Sequence, residues 1–234
     1  MEPLKGKDMA FTLQDLFDLL TTGELAHLHI GGSKAGIIDQ ADHRKIIPAV
    51  NLGLSAIYRR FPIKEKRVSF SLVPGSYKYT LYQDDLNKIA RVFTDTGQEL
   101  VLNNEGDKYS CFTPSFKVLV VPSDIVDNVT SLPSVFRTTG LELVYRANHP
   151  KLLERDPILD PEQIELEIPY THVEALLYFI AARMHAPTGS GQFEGLIGNN
   201  YTAKYEAAVQ QLSTIVPQEE VTANQTRFSQ KGFA

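Results

Sequence analysis

The sequence predicts an α+β protein: N-terminal and C-terminal helix pairs form a helical bundle, with an inserted, mostly antiparallel β domain and an extended C-terminal arm. Apolar residues recur at helical spacing in two segments before residue 62 and in two after residue 169. Between these positions they alternate in short runs that end at proline or glycine. Beyond Pro217 the chain is polar. We therefore expect a helical core at 1–61 and 170–216, a β-rich insertion at 62–169 and an arm at 217–234.

Composition limits the class of protein. The 234 residues carry 23 Lys+Arg against 28 Asp+Glu, a net charge of −5, and 43% are hydrophobic, which is typical of a globular chain. No apolar run approaches the ~20 residues of a membrane span. The first residues lack the apolar stretch of a signal peptide, so we expect a protein made in the cytoplasm, with no membrane partner. The mild acidity argues against a protein that coats nucleic acid.

The first helix pair has a well-marked start. Thr12 is a good N-cap residue, and Asp15 follows at capping-box spacing. Apolar residues at helical spacing then continue to Gly23. A second helix is predicted from near Asp39 to about Arg60, with a kink where Pro48 removes a hydrogen bond.

The insertion is predicted to consist of strands joined by short turns. A hairpin is predicted with glycine in its turn, and one continuous apolar run predicts a buried strand. Since no helical spacing separates these runs, a mostly antiparallel sheet or a small barrel is expected. The predicted strands are 68–72, 89–93, 99–102, 117–121, 141–145 and 164–168.

The second helix pair follows Pro169. Thr171 and Glu174 are spaced as a capping box for the third helix, which Pro187 ends. A glycine-containing loop at 189–198 then leads to Asn199 and Asn200, which we expect to cap the fourth helix.

The residue types used in catalysis do not form a recognisable pattern. The glycine-rich loop lacks the lysine that a phosphate loop requires. His27 and His29 lack a nearby third ligand, and a metal needs three or four. Cys111 has no base beside it in sequence, so a small buried residue is expected. We predict no catalytic, cofactor or metal site, and no enzyme activity.

Two charged segments allow functional interpretations. Carboxylates are dense between residues 151 and 174, where Glu162, Glu165 and Glu167 form either a solvated face or an anionic channel or interface face. A basic cluster follows the second helix, where it can satisfy the helix dipole or contact DNA phosphates. Its members are Arg59, Arg60, Lys64, Lys66 and Arg67.

The C-terminal arm combines two aromatic rings with two cations: Arg227, Phe228, Lys231 and Phe233. A frayed terminus is one interpretation. Exposed phenylalanine and arginine are also the residues that anchor a flexible segment in a partner's pocket.

Taken together, the segments resemble the head-to-tail adaptor (connector) proteins of tailed bacteriophages, particularly the podovirus type. Residues 42–61 are similar to the long second helix of these adaptors, and residues 89–103 to their inserted β-hairpin. Residues 168–183 with 200–206 are similar to their C-terminal helical pair, and residues 226–233 to their extended tail.

The resemblance implies a structural protein of the virion neck. It implies a homo-oligomeric ring of about a dozen copies that joins the portal protein to the tail tube or nozzle proteins and extends the DNA channel. Double-stranded DNA would pass through without specific binding, since an acidic ring repels phosphates. By the same resemblance Arg227, Phe228, Lys231 and Phe233 would anchor the portal. The basic cluster at 59–67 would be a secondary contact to a neighbouring subunit or the portal. Another neck or tail-tube component is the alternative, and an enzyme without a recognisable site is a third.

Overall fold

The computed structural model describes residues 11–28, 37–39, 42–128, 130–153, 160–185 and 192–215, with side chains of the last range described from Asn200 onward. The predictions for the arm and for the glycines at 189 and 191 lie outside the described residues. Within them the fold is α+β, with five α-helices and seven strands. The helices are α1 (Leu13–Thr22), α2 (His43–Arg60), α3 (Ser123–Val126), α4 (Val173–Met184) and α5 (Gln192–Ile215).

The strands form two sheets in which every pair is antiparallel, as predicted. A four-stranded sheet has the order β1-β7-β3-β4, and a three-stranded sheet has the order β2-β6-β5. The strands are β1 (Glu65–Ser71), β2 (Lys78–Thr80), β3 (Leu86–Thr94), β4 (Glu99–Leu100), β5 (Phe112–Ser115), β6 (Val118–Val120) and β7 (Gly140–Ala147).

The chain divides into two compact units. One, here called the β unit, runs from Ser55 to Lys151; the other, the helical unit, comprises the residues before and after it. The first boundary falls inside α2 rather than after it. The second falls before residue 152, because the segment at 160–169 contacts α1. The predicted division at 61/62 and 169/170 therefore differs from these boundaries, and the domain assignment stays a prediction.

The capping box of α1 is confirmed. The Thr12 hydroxyl accepts a hydrogen bond from the Asp15 amide at 3.2 Å, and the Asp15 carboxylate accepts one from the Thr12 amide at 2.8 Å. Two amides that lack partners within the helix are thereby satisfied. The α1 side chains Leu13, Leu16 and Leu20 are fully buried.

The capping box predicted for the third helix is wrong. A 3-10 turn occupies residues 170–172, and α4 begins at Val173 without a side-chain cap. The two predicted partners are engaged elsewhere: the Thr171 hydroxyl contacts His172 Nδ1 at 3.1 Å, and the Glu174 carboxylate accepts a hydrogen bond from the Tyr178 hydroxyl at 2.9 Å.

The strand predicted at 164–168 is also wrong. A 3-10 turn at Pro161–Gln163 leads into an extended segment that bonds to the start of α1 instead of joining a sheet. The Leu13 amide donates to the Ile164 carbonyl, and the Leu166 amide donates to the Phe11 carbonyl, both at 2.8 Å. Alternation requires only extended backbone with one buried side, so it did not distinguish this segment from a sheet strand.

Both remaining helices begin away from the predicted positions. The second begins at His43 rather than near Asp39, whose carbonyl instead accepts a turn hydrogen bond from the Asp42 amide. The last begins at Gln192, so Asn199 and Asn200 lie inside it and do not cap it. A glycine lowers helix propensity by only about 1 kcal/mol, so glycines 195 and 198 do not end the helix.

Packing in the helical unit joins α4 to both α1 and α5. Helix α2 approaches α4 closely at Gly53, where an added Cβ would lie 2.6 Å from Leu176 Cδ1 and 3.1 Å from Phe179 Cδ1. A larger residue at position 53 would displace buried side chains of α4. The arrangement of the four helices as a bundle remains a prediction.

The β unit has its own hydrophobic core. The predicted β3–β4 hairpin is confirmed, with Gly97 at a φ of 85° in its turn. The buried strand predicted at 117–121 contains β6, with Leu119 fully buried. Cys111 belongs to the same core, as predicted.

Candidate interaction surfaces

The buried cysteine is chemically protected. Cys111 is fully buried, and burial raises the pKa of its thiol to about 12. A thiol at neutral pH is a far weaker nucleophile than a thiolate. Its environment therefore fits a packing role.

The described part of the chain has neither a cluster of metal-ligating side chains nor a helix suited to cross a membrane. No group of three histidine, cysteine, aspartate or glutamate side chains there has the geometry of a metal site. None of the helices described combines the length and the apolar character needed to span a bilayer.

The basic cluster is divided between a helix end and a strand. Arg59 and Arg60 are exposed in the last turn of α2, where positive charge interacts favourably with the helix dipole. Lys66 and Arg67 lie on β1 with acidic partners: Lys66 Nζ is 2.6 Å from Asp85, and an Arg67 guanidinium nitrogen is 3.2 Å from Glu142. The charge excess inferred from sequence is therefore partly neutralised within the chain.

Asp85 connects the basic strand to the neighbouring strands. It also accepts a hydrogen bond from the Tyr145 hydroxyl at 3.2 Å. Burial raises the pKa of Asp85, but the hydrogen bond from Lys66 and the charge of Lys66 together lower it by more than burial raises it. The pKa of Asp85 therefore lies below its ordinary value. The carboxylate thus stays ionised and holds Lys66 on the sheet.

The acidic face has an ordered backbone. Glu162, Glu165 and Glu167 are all exposed on the segment that bonds to α1, while Leu166 and Ile168 point inward. Tyr170 follows with 75% of its surface exposed and packs edge-on against Phe11. Carboxylates and an accessible aromatic ring thus lie along one short segment.

An aromatic cluster joins the segment after α1, the end of α4 and the middle of α5. The His185 ring stacks on Tyr201 with centroids 5.3 Å apart, and both side chains hydrogen-bond the Glu24 carbonyl. Lys204 Nζ lies 4.9 Å from the Tyr201 ring centroid, within cation–π range. Burial, and secondarily the charge of Glu24, raise the pKa of Tyr201. This cluster fixes α5, which ends at Ile215 just before the predicted arm.

Sequence reasoning missed the most exposed aromatic residues of the β unit. Tyr82 is 83% exposed and Phe116 is 59% exposed. Each lies just outside a short strand of the small sheet, at positions the sequence analysis left unassigned. Phe116 lies in the turn between β5 and β6, and the buried strand predicted from the sequence began at the next residue.

The predicted site residues are thus placed in different parts of the chain. The basic cluster straddles the end of α2 and β1, the acidic face belongs to the helical unit, and the four arm residues lie outside the described residues.

Comparison with known proteins identifies the family. No curated protein matches the chain. The family model of the SU10 adaptor protein matches residues 14–229, which include the described helices of both pairs and the whole β unit. The chain therefore belongs to the SU10 adaptor protein family, a family of structural phage adaptors and not of enzymes.

Proposed function

We propose that the protein forms a podovirus-type head-to-tail adaptor ring, of about a dozen copies, that joins the portal protein to the tail and extends the DNA channel. The observation that carries this proposal is the family match across residues 14–229. Tail tube or nozzle proteins bind the opposite side of the ring. Each subunit has a net charge of −5, so a closed ring repels the phosphates of DNA passing through it.

The arm is the proposed portal anchor. Arg227, Phe228, Lys231 and Phe233 supply aromatic and cationic groups, the residue types that dominate binding energy in many interfaces. In sequence the arm follows α5, which packs against α4 in the helical unit.

The two charged surfaces have secondary roles in this proposal. The basic cluster of Arg59, Arg60, Lys64, Lys66 and Arg67 contacts a neighbouring subunit or the portal, and the ion pairs of Lys66 with Asp85 and of Arg67 with Glu142 reduce the charge that those two residues offer. The acidic face formed by Glu162, Glu165 and Glu167 lies at the channel or at a subunit interface.

A pull-down with the portal protein of the same phage tests the anchor. Full-length chain and a variant without residues 218–234 are compared, together with a full-length variant in which Phe228 and Phe233 are replaced by serine. Loss of binding in both variants is expected. Equal binding by all three proteins would reduce the arm to an unbound terminus, while absence of binding by the full-length chain would contradict the portal partnership.

The alternative is another neck or tail-tube component, and the open edges of the sheets favour it, because an edge strand can pair with another chain. Strand β1 is such an edge, but Lys66 and Arg67 lie along it. Charged side chains on an edge discourage pairing between strands of separate molecules. Tubes formed by the isolated protein would support this alternative.

A further inference from the structure

The small sheet of the β unit has one face in the core and one face outside it. Tyr79 and Leu119 are register partners, and both pack in the hydrophobic core of the unit. Side chains alternate along a strand, so the adjacent partners Thr80 and Val118 lie on the opposite face. That face carries the half-buried Val118 and Val120 beside the exposed Lys78 and Thr80.

Two exposed aromatic residues extend this face. The Leu81 amide donates to the Lys117 carbonyl at 2.8 Å, so the register of β2 and β6 continues beyond both strands. Phe116 and Lys117 form the turn that joins β5 to β6, and Tyr82 lies one residue beyond Leu81, so both exposed aromatic residues lie at this end of the sheet. Lys117 Nζ lies 5.8 Å from the Phe116 ring centroid. We call this surface the outer sheet face: Lys78, Thr80, Tyr82, Phe116, Val118 and Val120.

The charge of the chain is divided unequally between the two units. The β unit contains 13 lysines and arginines against 10 aspartates and glutamates, a net charge of +3, so the rest of the chain carries −8. Lys78 lies on the outer sheet face and Lys117 adjoins Phe116, while Asp84 is the acidic residue nearest to Tyr82 in sequence. Like charges oppose each other when two copies of one surface meet. The outer sheet face therefore favours an acidic partner.

The helical unit offers a segment of matching chemistry. Glu162, Glu165 and Glu167 are exposed on it, and Tyr170 follows at 75% exposure. Carboxylates suit Lys78 and Lys117, and a tyrosine ring packs well against aromatic and aliphatic side chains.

We propose that the outer sheet face of one copy binds the acidic segment at 162–170 of the next copy. This inference rests on the proposed ring, whose subunit contact it specifies. The contact joins two different surfaces, so it is heterologous, and a heterologous contact closes into a ring when its rotation permits. The aromatic residues form its centre, and the ion pairs fix orientation and accelerate association.

Charge reversal with compensation tests the contact on the full-length chain mixed with its portal. Lys78→Glu together with Lys117→Glu places like charges across the contact and raises the protein concentration needed for half-maximal ring formation at least about tenfold at low salt. Adding Glu165→Lys and Glu167→Lys to the same chain restores opposite charges at every contact and returns the concentration to near the wild-type value. A mismatched variant adds Glu99→Lys and Glu105→Lys instead, two exposed glutamates of the β unit.

The compensated and mismatched variants have the same net charge as the wild type, so only the position of the charges differs. Rescue by Glu165→Lys with Glu167→Lys, and none by the mismatched pair, supports the inference. Rings that form equally well in the first reversal variant overturn the contact while leaving the ring proposal intact, as does equal rescue by both pairs. If the wild-type chain forms no ring on the portal, the contact and the proposed function both fail.

Discussion

Asn51 provides the sharpest test of the packing in the helical unit. Its side chain lies on α2 and forms two hydrogen bonds with the backbone of Leu152: the amide group donates to the carbonyl at 3.0 Å, and the carbonyl oxygen accepts from the Leu152 amide at 2.9 Å. Leu152 is only 7% exposed, so water cannot readily replace these bonds. The substitution Asn51→Ala therefore leaves one donor and one acceptor without partners in the protein.

The cost follows from the two bonds. Each contributes about 0.5–1.5 kcal/mol net, so their loss destabilises the protein by about 1–3 kcal/mol. Alanine favours a helix by up to about 0.7 kcal/mol over asparagine, which offsets part of that loss. We expect a net decrease of about 0.5–2.5 kcal/mol in the free energy of unfolding.

Urea unfolding followed by circular dichroism measures this value, with Asn51→Asp as the control. Aspartate has a helix propensity similar to that of asparagine and keeps the acceptor for the Leu152 amide, but it places a carboxylate against the Leu152 carbonyl. Both variants should be destabilised. An Asn51→Ala variant as stable as the wild type would refute the reasoning that these bonds hold the segment against α2.

The remaining predictions concern a helix cap, a histidine and the cysteine. Thr12→Ala should lower the free energy of unfolding by about 1 kcal/mol, and Thr171→Ala clearly less, because only Thr12 caps a helix; equal losses in thermal unfolding would contradict this. Burial lowers the pKa of His43, against the opposing charge of Asp42, so neutral His43 is favoured in the folded state. The free energy of unfolding should decrease as the pH falls below about 6.5, and it should change less with pH in His43→Gln, as measured by urea titrations at several pH values. The same change with pH in both proteins would contradict a role of His43. Cys111 should react with a thiol reagent at pH 8 only on unfolding, and rapid labelling of the folded chain would show that it is not buried.

Local signals predicted the fold where a single physical cause dominates. The capping residues Thr12 and Asp15 identified the start of α1, and glycine in the turn identified the β3–β4 hairpin. The shift from helical spacing to alternation identified an antiparallel β region, and a lone cysteine without a neighbouring base was correctly assigned to the core.

Tertiary contacts decided the rest. The same spacing forms a capping box at Thr12 and none at Thr171, whose hydroxyl contacts His172 instead. Alternation at 164–168 reflects contact with α1 and not a sheet. The basic cluster was identified as a run of charges, but the pairing of Lys66 with a residue on another segment is visible only in the fold.

Membership of the SU10 adaptor protein family makes this chain a structural component of a phage virion. On this basis we propose that the protein assembles as a ring on the portal. Electron microscopy of purified portal mixed with the full-length protein is the decisive experiment. We expect one additional ring, of about a dozen copies, on a single end of each portal. Portals that stay bare while the protein remains unassembled or forms separate tubes would contradict it.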